Sequence, residues 1–313
     1  MRIVIHIGTE KTGSTTLQEF ILLNRDVLLA HGVYVPTCLG RRNHRKLAVY
    51  CMHENKFDDY IKNKGLINKK KREHFRQDVA DSLVKELREL DQNVIDTVLI
   101  SSEHFHSRLT DISEVERLKS LLSVIEADIT ILCYLRKQSQ LVESKYSTYL
   151  KGGGYSSFKS FSDDCVESNK YYDYDRFLRR WERCFSINNV FVREFSRVKF
   201  KDNNLCIDFL EFAGLKITKE DVSFPEDQNT SFSHLGIIMM RVLNRLYKKK
   251  EKDKVRKMTR KRLVNFILNS FSGSRPRLLS LEDRNKMDRR FSRCNAAVSE
   301  RHGIQFFSDE NNE

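Results

Sequence analysis

Lys11, Thr12, Gly13, Ser14, Thr15 and Thr16 put one amine, one glycine and four hydroxyls into six consecutive positions. A cation with several hydroxyl donors around a flexible backbone point is suited to a compact oxyanion such as a phosphate or sulfate. Three other groups carry chemistry. Glu103 and His104 stand side by side in Ser102-Glu103-His104-Phe105-His106, a carboxylate and an imidazole that could each accept a proton. Arg136 is followed eight residues later by Ser144, a forked guanidinium donor and a hydroxyl. Asn43 and His44 sit in a polar, basic stretch, Thr37 to Arg45, with Gly40, Arg41 and Arg42.

These groups need elements to hold them. Arg2 to Ile7 is a short β-branched apolar run, as a buried parallel strand should be. Gly8 to Gly13 reads as a turn, and Ser14 opens a helix with Leu17, Phe20, Ile21 and Leu28 on one face. A strand, a glycine loop and a hydroxyl-rich helix start aim several backbone N–H groups at one spot, to which the helix adds partial positive charge. The loop is not a Walker A sequence. Gly8 and Gly13 have that spacing, but Ser14 stands where its lysine belongs, and the lysine lies inside the loop at position 11.

Further along, Val33 to Val35 is a second strand closed by Pro36, and Glu73 to Leu90 a helix with Phe75, Val79, Leu83 and Leu87 in phase. Thr97 to Ser101, Ile129 to Leu135 and Asn189 to Arg193 read as strands. Glu103 and His104 therefore follow a strand directly, and Arg136 ends one. Ser139 is expected to cap the next helix. Gly152, Gly153 and Gly154 form a hinge or mobile lid unless something pins them. Tyr172 to Phe185 and Leu205 to Gly214 are helices. The expected fold class is α/β, a mostly parallel five-stranded sheet flanked by helices.

The 313 residues are 40% apolar, enough for one large domain with insertions or two small ones, and the net charge of +13 calls for an anionic partner or serves solvation. The basic residues lack interleaved aromatics at regular spacing, so nucleic acid is not expected. Seven scattered cysteines with neither Cys-x-x-Cys nor His-Glu-x-x-His lead to the expectation of no metal site and of free thiols in a reducing, cytoplasmic compartment. No apolar run reaches the length of a membrane span, and the chain enters its first strand without a leader, so neither a spanning helix nor a signal peptide is expected; peripheral association with a membrane stays open.

Lys11-Thr-Gly-Ser-Thr-Thr-Leu17, with Arg136 ending a strand and Ser144 on the following helix, resembles the sulfotransferases that use 3′-phosphoadenosine 5′-phosphosulfate (PAPS). The resemblance is to bacterial members and covers roughly residues 1–150, weakening towards 245, where Asn229, Thr230, Ser231, Arg241 and Asn244 still match. It implies a P-loop kinase-like sheet. Lys11 to Thr16 would hold the 5′-phosphosulfate, with Lys11 also neutralising charge on the bridging oxygen. Arg136 and Ser144 would grip the 3′-phosphate, which ATP lacks. Glu103 would be the general base, with His104 the alternative, and Asn43 and His44 would contact the acceptor. No metal is implied. The acceptor would be a hydroxyl or amine of a glycan, glycolipid or small molecule, sugar-containing or anionic. The same resemblance divides the chain into a sulfotransferase-like domain, 1–245, and a basic helical extension, 246–313, packed on it. Two other readings share the loop: a nucleotide or small-molecule kinase, which would need Mg²⁺ and a clamp lysine, and a non-catalytic nucleotide- or nucleic-acid-binding module.

Overall fold

The β-branched apolar runs all enter one sheet. In a computed structural model, which describes residues 1–226, 231–247, 254–273 and 276–305, β1 (Arg2–His6) lies at its centre. It is followed by α1 (Ser14–Leu23), α2 (Arg25–Ala30), β2 (Val33–Tyr34), α3 (Arg45–Cys51), α4 (Asp59–Asn63), α5 (Lys69–Arg88), β3 (Thr97–Ser101), α6 (His104–Arg108), α7 (Ile112–Leu122) and β4 (Asp128–Leu135). Then come α8 (Gln138–Lys151), α9 (Phe158–Ser162), α10 (Tyr174–Phe185), β5 (Val190–Glu194) and α11 (Leu205–Phe212). The chain continues through β6 (Ser231–Phe232), α12 (His234–Tyr247), α13 (Lys254–Ser270), β7 (Ser272–Gly273), α14 (Leu281–Arg290) and α15 (Ser292–His302). Asn229, Thr230 and positions 248–253 of the basic stretch lie outside the described residues.

The sheet has the order β2-β3-β1-β4-β5, and every pairing is parallel. Ile3 pairs with Val98 on one side and Ile129 on the other, and Ile5 with Ile100 and Ile131. A strand paired on both edges and covered on both faces must be apolar throughout, which is why Ile3, Val4 and Ile5 are fully buried. One face packs on α1 and α11 through Val4, Leu17, Phe20, Leu99, Tyr134 and Phe209. From β1 the chain goes first to β2 at the edge, returns to β3 beside β1, then crosses β1 to β4 and β5, so the direction of winding reverses beside β1. Crevices at the carboxyl ends of strands, where such a reversal occurs, are where α/β sheets bind ligands.

Two compact units divide the chain: residues 1–136, 173–226 and 294–313 form the first, and 137–172 with 227–293 the second. Residue 245, where the sequence places a boundary, lies inside α12. The first unit contains the sheet. Its final helix, α15, joins α10 through Arg301, which pairs with Asp175 and with Glu182 at 3.1 Å, while His302 Nε2 lies 3.0 Å from Glu182. The second unit has its own core of Tyr146, Leu150, Met240, Leu243, Val264 and Ile267. No helix among the described residues is long and apolar enough to cross a membrane.

Three local expectations change. The helix that starts at Ser14 breaks at Asn24, because the Asn24 amide donates to Phe20 O and Ser223 O and accepts from Ser223 N, all within 2.8 Å. α5 begins upstream of Glu73, where Asn68 Oδ1 accepts from Lys71 N at 2.9 Å and caps a helix that opens on Lys69, Lys70, Lys71 and Arg72. Ser139 is not a cap. It lies within α8, and its N–H and hydroxyl both donate to Asp288, at 3.2 and 2.9 Å.

The glycines at 152–154 are pinned. Asn244, 2% exposed, donates to Leu150 O and Gly154 O at 2.8 and 2.6 Å, and Arg260 donates to Asn244 Oδ1 at 2.9 Å and Lys151 O at 3.0 Å. Asn244→Ala leaves those carbonyls short of a donor. It should cost about 1–3 kcal/mol in urea unfolding and raise amide exchange across 151–155.

Candidate active site

Beyond its last residue, β1 stays bonded to β4. Ile7 N donates to Leu132 O at 2.9 Å, Tyr134 N to Gly8 O at 2.8 Å and Thr9 N to Tyr134 O at 2.8 Å, so the first part of the loop extends the sheet. The chain then turns through two left-handed residues, Lys11 (φ 68°) and Gly13 (φ 71°). At Gly13 a Cβ would sit 2.3 Å from Leu205 Cδ2, so the Leu205 side chain would have to move as well as the backbone take up strain. Gly8 (φ 100°) admits the backbone of the acid–base segment, because a Cβ there would lie 3.2 Å from Glu103 Cα.

Helix α1 starts at this turn. Leu17 N is the first to donate within it, to Gly13 O at 3.0 Å, so the N–H groups of Ser14, Thr15 and Thr16 have no acceptor inside the helix. No acidic residue occupies its first turn. Arg136, at the end of β4, donates to Lys11 O at 3.0 Å and lies 5.2 Å over the Phe195 ring, which brings the guanidinium to the loop. The hydroxyls divide. Thr12 is fully buried and donates to Thr9 O at 2.6 Å, so it braces the loop from within. Ser14 is buried, Thr16 half-buried and Thr15 exposed.

Glu103 and His104 follow β3 as the sequence predicts. Ser102 N donates to His6 O at 3.0 Å, and Glu103 is the residue before α6. Glu103 Oε2 accepts from Gln18 Nε2 at 2.5 Å and from Asn43 Nδ2 at 2.9 Å. Asn43 Oδ1 accepts from the Ser102 hydroxyl at 2.8 Å, and Asn43 Nδ2 also reaches Gln18 Oε1 at 3.2 Å. His104 Nε2 is 4.0 Å from the other oxygen, Glu103 Oε1. Burial pushes the His104 pKa down, and Arg45 and Arg108 add to that, against the opposing pull of Glu103 and Glu10.

Asn43 thus joins the Glu103 cluster, whereas His44 serves the scaffold. The His44 ring is buried, its Nδ1 accepts from Ser101 N at 2.9 Å, and its own N–H donates to Ser101 O at 3.2 Å, which ties the 37–45 segment to β3. On the adjacent strand His6 Nδ1 lies 2.9 Å from Ser101 Oγ. Both rings leave Nε2 buried without a partner. Arg45 is held by Asp58 and Asp59, each at 2.5 Å. The structure therefore gathers Lys11 to Thr16, Arg136, Glu103, His104 and Asn43 in the first unit. Ser144, 2% exposed, belongs to α8 in the second.

Sequence reasoning missed Gln18 and Ser102. Gln18 had a readable signal, a polar residue among Leu17, Phe20 and Ile21 on the buried face of α1, and it is only 4% exposed. A buried amide needs partners, so its position announces a polar cluster beneath the loop.

No family model matches the chain. An uncharacterized protein of Archaeoglobus fulgidus is 29% identical over 171 residues, 55% of this chain; the match spans 43% of that relative's length. Among solved structures, the crystal structure of a sulfotransferase from Alicyclobacillus acidocaldarius matches over 85% of this chain and 92% of that one, at 13% identity and a TM-score of 0.46.

Two of the buried histidines, His6 and His44, make the fold around the site acid-sensitive. Burial pushes both His6 and His44 down to about 4 from the ordinary 6.5. In that window the unfolded chain binds protons that the folded one does not, so stability falls as pH drops from 6.5 towards 4. Each ring should contribute about 2 kcal/mol of loss between pH ~7 and ~5. His44→Asn keeps an acceptor at the Nδ1 position and removes the proton site; urea unfolding at the two pH values should show about half of that histidine-linked loss abolished.

Proposed function

We propose that this protein is a sulfotransferase, moving a sulfuryl group from PAPS to a hydroxyl or amine of an acceptor. One observation carries the reading: the open N–H groups at the start of α1, the Arg136 guanidinium bonded to Lys11 O and Glu103, whose Cα and Cβ pack beside Gly8, converge on one loop at the sheet's switch point. The lysine inside the loop, rather than beside the helix start, favours this chemistry over a kinase clamp. The fit to the nucleotide is reasonable on charge, since the loop presents N–H donors, a lysine and an arginine with no acid in the first turn of α1.

In this reading the residues 11–16 bind the 5′-phosphosulfate through backbone N–H groups, Lys11 and the outward hydroxyls. Thr12 contributes its N–H and the bracing of the loop rather than its hydroxyl. Arg136 binds the 3′-phosphate, and the part of Ser144 in that grip rests on its spacing from Arg136. Glu103 takes the acceptor's proton, the acceptor forms its bond to sulfur, and the bond from sulfur to the 5′-phosphate oxygen breaks. Its electron pair leaves with adenosine 3′,5′-bisphosphate, and Lys11 offsets the charge that grows there. Burial keeps His104 neutral near pH 7, suited to orienting the acceptor beside Glu103. The exposed Arg41 suits an anionic or sugar-containing acceptor, Arg42 and Arg45 being paired with Glu19 and with Asp58 and Asp59.

Thermal unfolding tests the nucleotide. At about 100 times its Kd, adenosine 3′,5′-bisphosphate should stabilise the fold by about 2.7 kcal/mol, and ADP at the same concentration by much less. Equal stabilisation by the two would remove the 3′-phosphate from the argument. Calorimetry should show Arg136→Ala weakening bisphosphate binding by about 1.5–3 kcal/mol, while Lys11→Ala lowers turnover more than affinity. Glu103→Gln should bind the bisphosphate normally and lose about 10²-fold in turnover. Near-normal turnover in Glu103→Gln with a collapsed His104→Ala would make His104 the base.

A further inference from the structure

Glu103 does not present two equivalent oxygens. Two amide groups donate to Oε2, Gln18 at 2.5 Å and Asn43 at 2.9 Å, whereas the polar side chain facing Oε1 is His104, at 4.0 Å. We propose that Gln18 and Asn43 are positioning residues for Glu103, holding Oε2 with two amide donors so that Oε1 is the oxygen that takes the acceptor's proton. The inference rests on the sulfotransferase reading and deepens it.

The direction of the network is fixed from its charged end, because the Glu103 carboxylate can only accept. Ser102 is fully buried and its hydroxyl donates to Asn43 Oδ1 at 2.8 Å. Glu103 Oε2 requires Asn43 Nδ2 to face it, and the Ser102 hydroxyl then completes Asn43 Oδ1. Gln18 Oε1 accepts from Asn43 Nδ2 at 3.2 Å, which turns Gln18 Nε2 towards Glu103. Reversing either amide would set oxygen against oxygen, so the sense of both follows from the hydrogen bonds. The chain of donors runs from Ser102 through Asn43 to Gln18, and two of its N–H groups end on a single carboxylate oxygen.

Such an arrangement accepts only one mode of proton transfer. Protonating Oε2 would place an O–H against two N–H donors and leave one buried amide without an acceptor. Protonating Oε1 disturbs neither bond. When the acceptor oxygen forms its bond to sulfur, its proton passes to Oε1, and the pair of electrons from the broken sulfur–oxygen bond leaves with the bisphosphate. Gln18 and Asn43 touch neither of those atoms; they act through the orientation of Glu103. Gln18 is well placed for this, because α1 also begins the phosphate loop's helix, and Gln18 lies one turn beyond Ser14. One short helix thereby sets both the anion-binding N–H groups and the facing of the base.

A double-mutant cycle separates this from a structural role. Turnover of PAPS is followed as release of adenosine 3′,5′-bisphosphate, with methyl β-galactoside and with water alone as acceptor. Gln18→Leu, which suits the apolar face of α1, should lower kcat about tenfold or more in the presence of Glu103 and by less than about twofold in the Glu103→Gln background. Bisphosphate affinity should stay within about twofold in both. Asn43→Ala should repeat the pattern and replaces Gln18→Leu if that variant does not fold. Equal losses in the two backgrounds, in a wild type that does turn over, overturn this inference alone. Loss of bisphosphate binding with Gln18→Leu overturns it too, by assigning Gln18 to the loop. A wild type that releases no bisphosphate with either acceptor overturns both this inference and the sulfotransferase reading.

Discussion

β1 is hydrogen-bonded along both edges, and the backbone that follows it must find other partners. Much of the site is the result. The loop is bonded to β4 as far as Thr9, and the carbonyl of Lys11, which the sheet can no longer reach, is met by the Arg136 guanidinium. What the loop leaves open are the N–H groups of the first turn of α1, which the helix geometry forces outward. In the proposed function the attraction for an anion is thus a remainder of backbone hydrogen bonding, to which the side chains add.

The carboxylates of the first unit extend the same logic. Glu86, on α5, accepts from Tyr34 Oη and from the N–H and hydroxyl of Thr37 at 2.7 Å each, and from Cys38 N at 3.0 Å. Although its burial opposes the charge, these donors hold Glu86 down to about 2. That anchor fixes the start of the segment whose far end carries Asn43 and His44. Asp208 plays a similar part near β4, accepting from the Tyr134 hydroxyl, from Arg193 at 3.0 Å and from Lys201 N at 3.1 Å. Loops that would otherwise be mobile are held by single acidic side chains, which suits a site that must keep several donors in register.

The parts of this architecture that were legible in the sequence are those written locally. The five strands are short apolar runs, and Gly8, Gly13, Glu103 and Arg136 stand where such runs stop, so their placement at the sheet's carboxyl end follows from pattern alone. The break at Asn24 and the Glu103 network are written non-locally. Asn24 meets a residue 199 positions away and Gln18 one 85 positions away, and no periodicity registers such partners. Ser139 failed as a cap because Asp288, 149 residues later, claims its hydroxyl. The division into units was hidden for a related reason: a unit assembled from separated segments leaves no single boundary in composition.

The Arg301 pairs with Asp175 and Glu182 have a bearing on how the protein is made. Residue 301 leaves the ribosome 165 residues after 136 (301 − 136), and both segments of the second unit, 137–172 and 227–293, emerge in between. At about 5–20 residues per second, that is an interval on the order of 10–30 s. Through it the sheet can assemble, but Glu182, 10% exposed once folded, waits for Arg301 and His302, while Asp175 has only Arg179 of its own helix as a cation. The second unit can therefore finish first although it begins later, and the unit that holds the sheet is closed by α15.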